Sequence, residues 1–368
     1  ATSSDYKTIV KVAGAWATGG NLNTGRFNAG GAGTQTAAIL AGGYSTTRLA
    51  VTETYDGSSW TEVGDLAIGK NSVPGIGTQT AALVVGGAKL PSYTIVGETE
   101  QWNGTSWTEI ADLNIARDQL GGSGAGTTTA ALVFGGATPT QQAITESWDG
   151  SSWTEVGDLN ASLMLTASNG TQTAAFAAAG QYGGSANSTN VQLWNGTSWT
   201  EVNNVNTGRN EASGAGSTTL ALAFGGGGPH DETELFDGTS WTEVADLTTG
   251  RSMYNSGTGT AVTALCSGGQ SPASNATEEW NFTSTLAAGA WASGGAINTA
   301  RRFFDGAGTQ TAAIVFGGDK APPPTSTGES ETYDGSSWTE VGDLSTARQF
   351  GGVGGAGLTQ TAALAIGG

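Results

Sequence analysis

The chain has 368 residues, of which 31 are acidic and 13 are basic, and its formal net charge is −18. Such an acidic surface repels phosphate groups, so the charge argues against nucleic acid and anionic membranes as partners. The apolar runs are far shorter than the roughly 20 residues of a membrane helix, and one cysteine, Cys266, excludes an internal disulfide.

A repeat of about 46 residues runs through the whole chain. Each copy contains a marker tryptophan, and the eight are Trp16, Trp60, Trp107, Trp153, Trp199, Trp241, Trp291 and Trp338. Each copy also contains a glycine marker at the end of an apolar run: Gly42, Gly86, Gly135, Gly180, Gly225, Gly268, Gly317 and Gly367. The chain is therefore expected to form one domain over residues 1–368, built from repeated units.

Every repeat shows four strand signals in the same order. The first is rich in Gly and Ala, the second reads TAALVF and ends at Gly-Gly, the third ends at an aromatic residue, and the fourth starts at the marker Trp. Asp-Gly or Asn-Gly lies between the third and fourth, as in Asp56-Gly57 and Asn103-Gly104, and predicts a two-residue hairpin. No segment has the apolar period of a long helix. The pattern predicts an all-β propeller of four-stranded antiparallel blades.

The Gly-Gly pair, the Tyr-Asp pair and the following Trp resemble the signature of the kelch-repeat family, in the same order and across all eight copies. The shorter Tyr-Asp-Gly-Ser-Ser-Trp turn departs from common kelch repeats. The compact TQTAA…YDGSSW type looks like repeats in predicted virion proteins of bacteriophages and in surface proteins of aquatic bacteria. The resemblance implies a kelch-like β-propeller.

The two ends of the sequence suggest how the ring closes. Residues 1–20 contain a fourth-strand signal, and residues 349–368 contain first- and second-strand signals. Pairing them in one split blade would cover two exposed sheet edges. The sequence thus predicts eight blades, with seven as the alternative.

The marker tryptophans and the third-strand aromatics are expected to fill the space between diverging blades rather than to serve as sugar platforms. Near the axis, Gly-Ala-Gly segments such as Gly31–Gly33 would allow inner strands to approach closely.

A basic residue follows the marker Trp by ten positions in seven of the eight copies: Arg26, Lys70, Arg117, Arg209, Arg251, Arg301 and Arg348. The remaining copy has Leu163. A Glu precedes the third-strand aromatic by two positions, except for Gln192 in the copy with Leu163. This joint exception predicts a structural ion pair within each blade. The alternative is a cationic ring at the channel mouth that captures an acidic ligand, as the resemblance to kelch domains permits.

The connection between the second and third strands varies most in length. It carries Tyr44, Arg48, Tyr93, Tyr182, His230 and Lys320, and it should lie on the same face as the basic residues. Variable loops on a rigid scaffold are typical of a recognition surface, so these six residues form the candidate binding site. Neutral drift of surface loops would give a similar pattern.

Catalytic patterns are not recognisable. The single histidine, His230, excludes a site with two imidazoles, and Cys266 lies in an apolar run, unlike the copper site of galactose oxidase, an enzyme that resembles kelch propellers. No acid pair stands out for glycoside hydrolysis. We expect no enzyme activity, no cofactor and no metal site.

The sequence therefore suggests a non-catalytic scaffold or receptor-recognition module on a virion, in a tail fibre or capsid decoration, or on a cell surface. Its partners would be other virion or surface proteins, or a host receptor or glycan. One alternative is a carbohydrate-binding lectin or adhesin. Another is an intracellular protein-interaction adaptor.

Overall fold

The computed structural model describes residues 13–183, 186–228, 230–270, 273–283, 295–309, 311–320 and 325–349. All regular elements in these ranges are β-strands, which confirms the all-β prediction, and none of the described segments is a helix that could span a membrane. Where the sequence predicts one domain, the described residues fall into two compact units, one containing residues 13–283 and the other residues 295–349.

The first half of the larger unit contains three four-stranded sheets. The first described strand is β1 (Ala13–Thr18). Sheet 1 follows and consists of β2 (Gly30–Thr34), β3 (Ala37–Ala41), β4 (Thr52–Tyr55) and β5 (Trp60–Glu62). Sheet 2 consists of β7 (Gly75–Thr78), β8 (Ala81–Val85), β11 (Thr99–Trp102) and β12 (Trp107–Ile110). A separate small sheet is formed by β6 (Lys70–Asn71), β9 (Ala88–Lys89) and β10 (Thr94–Ile95). Sheet 3 is β13 (Gly121–Gly122), β14 (Ala131–Phe134), β15 (Thr145–Trp148) and β16 (Trp153–Glu155).

The second half of the larger unit contains three more. Sheet 4 consists of β17 (Ala167–Thr171), β18 (Ala174–Ala178), β21 (Val191–Trp194) and β22 (Trp199–Val202). Between β18 and β21, β19 (Gln181–Tyr182) and β20 (Ala186–Asn187) pair with each other. Sheet 5 is β23 (Ser213–Gly216), β24 (Ala221–Phe224), β25 (Thr233–Phe236) and β26 (Trp241–Glu243). Sheet 6 is β27 (Gly257–Gly259), β28 (Thr263–Ser267) and β29 (Thr277–Thr283), joined by β1.

The smaller unit contains sheet 7 and a three-stranded loop sheet. The loop sheet combines β30 (Arg301–Arg302) with β33 (Asp319–Lys320) and β34 (Thr325–Ser326). Sheet 7 is β31 (Asp305–Thr309), β32 (Ala312–Phe316), β35 (Ser330–Tyr333) and β36 (Trp338–Val341).

In sheets 1 to 5 and in sheet 7 the four strands pair antiparallel in the order of the repeat, as the sequence predicts. The connection between the third and fourth strands is wider than predicted, however. Tyr55 pairs with Trp60, so four residues, not two, form the loop. The Asp56 carboxylate explains this, because its Oδ1 accepts hydrogen bonds from the backbone N–H groups of Ser58 and Ser59 at 2.9 and 2.8 Å. Gly57 supplies the left-handed backbone, with φ of 92°.

Strand β1 has a different partner from the one predicted. Pairing with residues 349–368 was expected, but β1 pairs along its whole length with β29, and Trp16 faces Trp280. From residue 350 onward the expected partner lies outside the described residues. As a result, the N-terminal strand provides the fourth strand of sheet 6, the last sheet of the larger unit.

The core of the larger unit lies between successive sheets. Leu132 and Phe134 of sheet 3 pack with Trp194 and Trp199 of sheet 4, and the other pairs of sheets are similar. One such cluster joins Leu265 of sheet 6 to Leu40 and Tyr55 of sheet 1, so the last sheet packs on the first. In the larger unit the marker tryptophans are at most 8% exposed, except for the half-buried Trp107, and they fill the core as predicted.

Backbone hydrogen bonds near the inner strands link all six sheets. Ser72 N–H donates to the Asn28 carbonyl, and the same bond recurs from Gln119 to Ser72, Leu165 to Gln119, Glu211 to Leu165 and Met253 to Glu211. Gly31 N–H then donates to the Asn255 carbonyl at 2.9 Å and returns the series to sheet 1. The circuit includes six sheets and leaves the predicted count of eight unconfirmed, since sheet 7 belongs to the smaller unit.

Inner strands approach each other closely in this circuit. A Cβ on Gly75 would lie 2.6 Å from the Gly31 carbonyl oxygen, so only glycine fits at this contact between sheets 1 and 2. This is the role expected of the glycine-rich first strands.

Candidate functional site

The basic residues that follow the marker tryptophans are buried ion-pair partners. The closest charged atoms are 2.9 Å apart in Arg26–Glu53, 2.7 Å in Lys70–Glu100, 2.7 Å in Arg117–Glu146, 3.0 Å in Arg209–Glu234 and 2.7 Å in Arg301–Glu331, and Arg251 is paired with Glu278. The side chains of these six basic residues are at most 5% exposed. Burial lowers the pKa of Arg117, and the charge of Glu146 opposes that shift. Each pair lies within one repeat, as the joint exception at Leu163 and Gln192 suggests.

Each glutamate also fixes the segment that enters its sheet. Glu146 Oε2 accepts hydrogen bonds from the backbone N–H and the side-chain amide of Asn114, both at 2.8 Å, and the same amide donates to the Trp153 carbonyl. In sheet 4, Gln192 Oε1 accepts the equivalent bonds from Asn160, at 2.8 and 3.2 Å. Gln192 therefore keeps the acceptor role where Leu163 removes the cation.

These asparagines were not among the residues predicted to be important. Their signal is a spacing: Asn23, Asn114, Asn160, Asn206 and Asn298 each follow a marker Trp by seven positions. Asn23, Asn114, Asn206 and Asn298 connect the marker Trp carbonyl to the buried Glu of the same repeat, and Asn160 connects it to Gln192.

The predicted binding loops and the basic segments meet on one face, which we call the loop face. Phe27 and Tyr44 exchange backbone hydrogen bonds at 3.0 and 2.8 Å, Gln181 N–H donates to Met164, and Gln270 N–H donates to Ser252. Phe27 and Ser252 directly follow a basic position, and Met164 follows Leu163, which occupies that position in its repeat. Each of them bonds to the connection between the second and third strands of a sheet. The predicted common face is therefore observed.

Three sheets combine at one part of the loop face. Arg48 of sheet 1 lies over the ring of Tyr93 of sheet 2, 4.8 Å from its centroid, and its Nε donates to Asn71 Oδ1 at 2.9 Å. The Tyr93 hydroxyl donates to the Asp118 carboxylate, which is buried at the entry to sheet 3. Burial and this hydrogen bond raise the pKa of Tyr93, and burial raises the pKa of Asp118. Arg48 and Asp118 thus hold the ring and the hydroxyl of Tyr93 in place, and the side chain is nevertheless 55% exposed to solvent.

The other candidate residues are distributed around the loop face. Tyr44 is half-buried against Phe27, and its hydroxyl donates to the Thr46 carbonyl. Tyr182 is 51% exposed on β19. His230 Nδ1 lies 2.9 Å from Glu232 Oε2. Lys320, in the smaller unit, forms an ion pair with Glu329. Among these candidates, Arg48 contacts Tyr93 through its side chain and Tyr44 through a backbone β-bridge. Arg348 Nε donates to the Thr346 carbonyl.

A contact near the loop face joins two sheets that are not neighbours in the series. The hydroxyl of the buried Tyr254 donates to the carbonyl of Leu120, and the amide of Asn255 donates to the same carbonyl at 2.9 Å. Leu120 enters sheet 3 and Tyr254 enters sheet 6, three sheets away in the circuit. These two hydrogen bonds therefore join sheet 3 directly to sheet 6.

A pocket of about 330 Å³ lies at the opposite end of the inner strands. It is lined by the hairpins between strands one and two of sheets 3 to 6: Ala125, Gly170, Thr171, Ala174, Gly216, Ser217, Leu220, Gly259, Thr260, Ala261 and Val262. This pocket was not predicted from the repeat pattern. In the sequence, the pocket corresponds to two repeats in which the TQTAA hairpin is changed and includes apolar Leu220 (sheet 5) or Val262 (sheet 6).

Within the described residues, no three His, Cys, Asp or Glu side chains are grouped so that they could hold a metal ion. A comparison of the chain with models of protein families and with curated protein sequences gives no match.

Proposed function

We propose that residues 13–283 form a closed kelch-like propeller of six blades and that the protein is a non-catalytic recognition or scaffold module. The hydrogen-bond circuit through six sheets and the pairing of β1 with β29 support the closed ring. Closure removes free sheet edges, which gives the loops a rigid support.

The observation that carries the recognition role is the fixed, exposed ring of Tyr93. A buried carboxylate holds its hydroxyl and Arg48 covers one ring face, so little conformational freedom is lost when a ligand contacts the rest of the side chain. Tyrosine and arginine are also the residues that dominate binding surfaces. The ligand would contact the loop face of sheets 1 to 3.

The setting we propose is a virion or a cell surface, where partners would be other structural proteins or a host receptor. The strongly acidic composition and the resemblance of the TQTAA…YDGSSW repeats to phage virion and bacterial surface proteins support it. Proteomics of purified virions and cell-surface fractions, with cytosol as the control, tests this setting. Enrichment in virions or at the surface is expected, and recovery from cytosol alone would overturn it.

A carbohydrate ligand is the second candidate, because Tyr93 and Tyr182 present aromatic rings to solvent on the same face. Binding of the intact chain to a glycan array should be lost on Tyr93→Ala and reduced on Tyr182→Ala. Tyr44→Phe is the control, since that ring is half-buried and loses only its hydroxyl. Equal binding by all three variants would overturn the carbohydrate proposal.

An adaptor that captures an acidic peptide through the basic positions has less support. Arg117 and Arg251 are buried and paired, so reaching them would require breaking an ion pair in the interior. Capture of an acidic peptide that is lost on Arg117→Lys, in a variant that remains folded, would favour the adaptor over surface recognition.

A further inference from the structure

The last sheet of the larger unit accepts its fourth strand from a distant segment, and the sequence contains two near-copies of that segment. Residues 13–20 read AGAWATGG and residues 288–295 read AGAWASGG. The match continues without a gap at an offset of 275 residues, with 21 of 31 positions identical between residues 13–43 and 288–318. Ala-Gly-Ala precedes only these two marker tryptophans, whereas the other six follow Gly-Ser-Ser or Gly-Thr-Ser.

The structure shows what the Ala-Gly-Ala-Trp pattern is for. In sheet 1 the third and fourth strands are joined by the four-residue loop at Asp56, but β29 continues past Trp280 to Thr283. Ala13–Trp16 pair with this extension, where a hairpin would otherwise begin. Gly14 is required there, because a Cβ would lie 1.9 Å from the Trp280 ring. The pattern is therefore a closing strand for a third strand that has no hairpin.

The interval after Trp280 agrees with this reading. Eleven positions separate Trp280 from Trp291, whereas five separate Tyr55 from Trp60. The connection between Trp280 and Trp291 is thus longer than the hairpin loop that joins the third and fourth strands in the other repeats.

The residues after the second copy reproduce the contacts made after the first. Asn298 N–H donates to Glu331 Oε2 at 2.6 Å, as Asn23 does to Glu53 at 2.7 Å, and the Asn298 amide donates to the Trp338 carbonyl at 2.9 Å. Arg301 pairs with Glu331 as Arg26 pairs with Glu53. Sheet 7 is therefore equivalent to sheet 1, the first sheet of a series.

Sheet 7 differs from sheet 1 in the contacts that sheet 1 makes with sheet 6. Trp60 Nε1 donates to the Thr277 hydroxyl of sheet 6, whereas Trp338 Nε1 donates to the Gly295 carbonyl. Phe304 is 40% exposed at the position of the fully buried Ala29. The Trp338 indole and the Phe304 side chain are thus placed differently from their equivalents Trp60 and Ala29 in sheet 1.

We infer that the repeat series restarts at residue 288. Residues 13–283 close one ring with the first copy of the closing strand, and the second copy begins a second series in which sheet 7 is the first sheet. The acceptor edge of β29 is specific for the Ala-Gly-Ala-Trp pattern and takes the copy from its own ring, not the copy that follows it in sequence.

Cross-linking of the intact chain tests this assignment. Ala15 faces Asn281 on the exposed side of the sheet, and Ala290 is the equivalent of Ala15 in the second copy. Ala15→Cys with Asn281→Cys and, separately, Ala290→Cys with Asn281→Cys would each be treated with a short bis-maleimide and mapped by mass spectrometry. Cys266 is buried and does not compete.

The first pair, which is 266 positions apart in sequence, should cross-link within one molecule. The second pair is only nine positions apart, so its linkage is the reference for two tethered cysteines. A first pair that links more slowly than this reference would overturn the inference. Absence of both products, or a first-pair product found only between molecules, would also contradict closure of the ring by its own N-terminal strand. Unchanged far-ultraviolet circular dichroism of each variant shows that the substitutions have not unfolded the chain.

Discussion

At the scale of single residues, one hydrogen bond connects most neighbouring sheets of the larger unit. The indole N–H of a marker Trp donates to the threonine hydroxyl that begins the third strand of the preceding sheet. The distances are 3.0 to 3.1 Å for Trp16–Thr233, Trp60–Thr277, Trp107–Thr52, Trp153–Thr99 and Trp199–Thr145. The sixth, Trp241, has a buried Nε1 without an acceptor, because Val191 occupies the threonine position.

Val191→Thr should therefore stabilise the protein. It supplies the missing acceptor at a buried site of the same shape, and one such hydrogen bond contributes about 1 kcal/mol. The free energy of unfolding from urea titration should rise by about that amount. Thr145→Val removes the equivalent bond to Trp199 and should lower it by a similar amount. A loss of stability in Val191→Thr would contradict this account of the contact.

The buried ion pairs give a second residue-scale prediction. Glu146→Gln leaves the Arg117 charge buried without its carboxylate, and an uncompensated buried charge costs about 3–5 kcal/mol. The double variant Arg117→Leu, Glu146→Gln copies the natural Leu163 and Gln192 of sheet 4, so it should lose less than half as much in urea titration. An equal loss in both variants would show that the pair itself, not the unpaired charge, dominates.

The aspartates of the hairpin loops predict how stability depends on pH. Hydrogen bonds from Ser152 N–H and Ser151 lower the pKa of Asp149 to about 2, and Ser59 and Ser58 lower that of Asp56 to about 2 in the same way. The pKa of Asp237 is lowered as well. Because these values are lower folded than unfolded, their contribution to stability is present above pH 4 and disappears as the pH falls towards 2.

Replacing Asp56, Asp149 and Asp237 together by Asn should remove that dependence, because Asn103 and Asn195 already accept the same bonds at 2.9 Å in their own hairpins. The urea midpoint of the natural chain should fall between pH 4 and pH 2 by more than that of the triple variant. Parallel curves would contradict the assignment.

At the scale of elements, the strand order and partners within each repeat were predictable, since alternating apolar residues, glycine pairs and turn residues act locally. The four-residue hairpin was not, because Asp-Gly fits a two-residue turn equally well until the carboxylate is seen to bind Ser58 and Ser59. The partner of β1 was not predictable from pairing rules alone. The sequence pointed to residues 349–368, whereas the register of β1 on β29 and the close contact of Gly14 with the Trp280 ring are visible only in the structure.

Gly14→Ala should destabilise the larger unit, because the added methyl group overlaps the Trp280 ring. Overpacking of this kind costs about 1–3 kcal/mol. Gly289→Ala is the matched control, since it makes the same change in the second copy and should leave the larger unit unaffected. Hydrogen exchange of peptides from β28 and β29, followed by mass spectrometry, measures both. Faster exchange in Gly289→Ala would contradict the assignment of β1 as the closing strand.

At the scale of the whole molecule, the ion pairs and the shared loop face could be anticipated, because the joint exception at Leu163 and Gln192 is visible in the sequence. The contact of Arg48, Tyr93 and Asp118 could not, since these residues belong to three repeats and meet only when consecutive sheets pack side by side. The count of sheets in the ring depends on geometry for the same reason. Repeats can be counted along the chain, but which of them share a ring is decided where β1 finds its partner.

Limited proteolysis of the intact chain, with fragments identified by mass spectrometry, tests the closed six-sheet ring most directly. Because β1 and β29 hold each other, a protease of broad specificity should leave a resistant fragment that begins before Ala13 and ends shortly after Thr283. A resistant fragment that has lost residues 13–20 would contradict the closed ring. Loss of residues 13–20 whenever residues 295–349 are removed would contradict it as well.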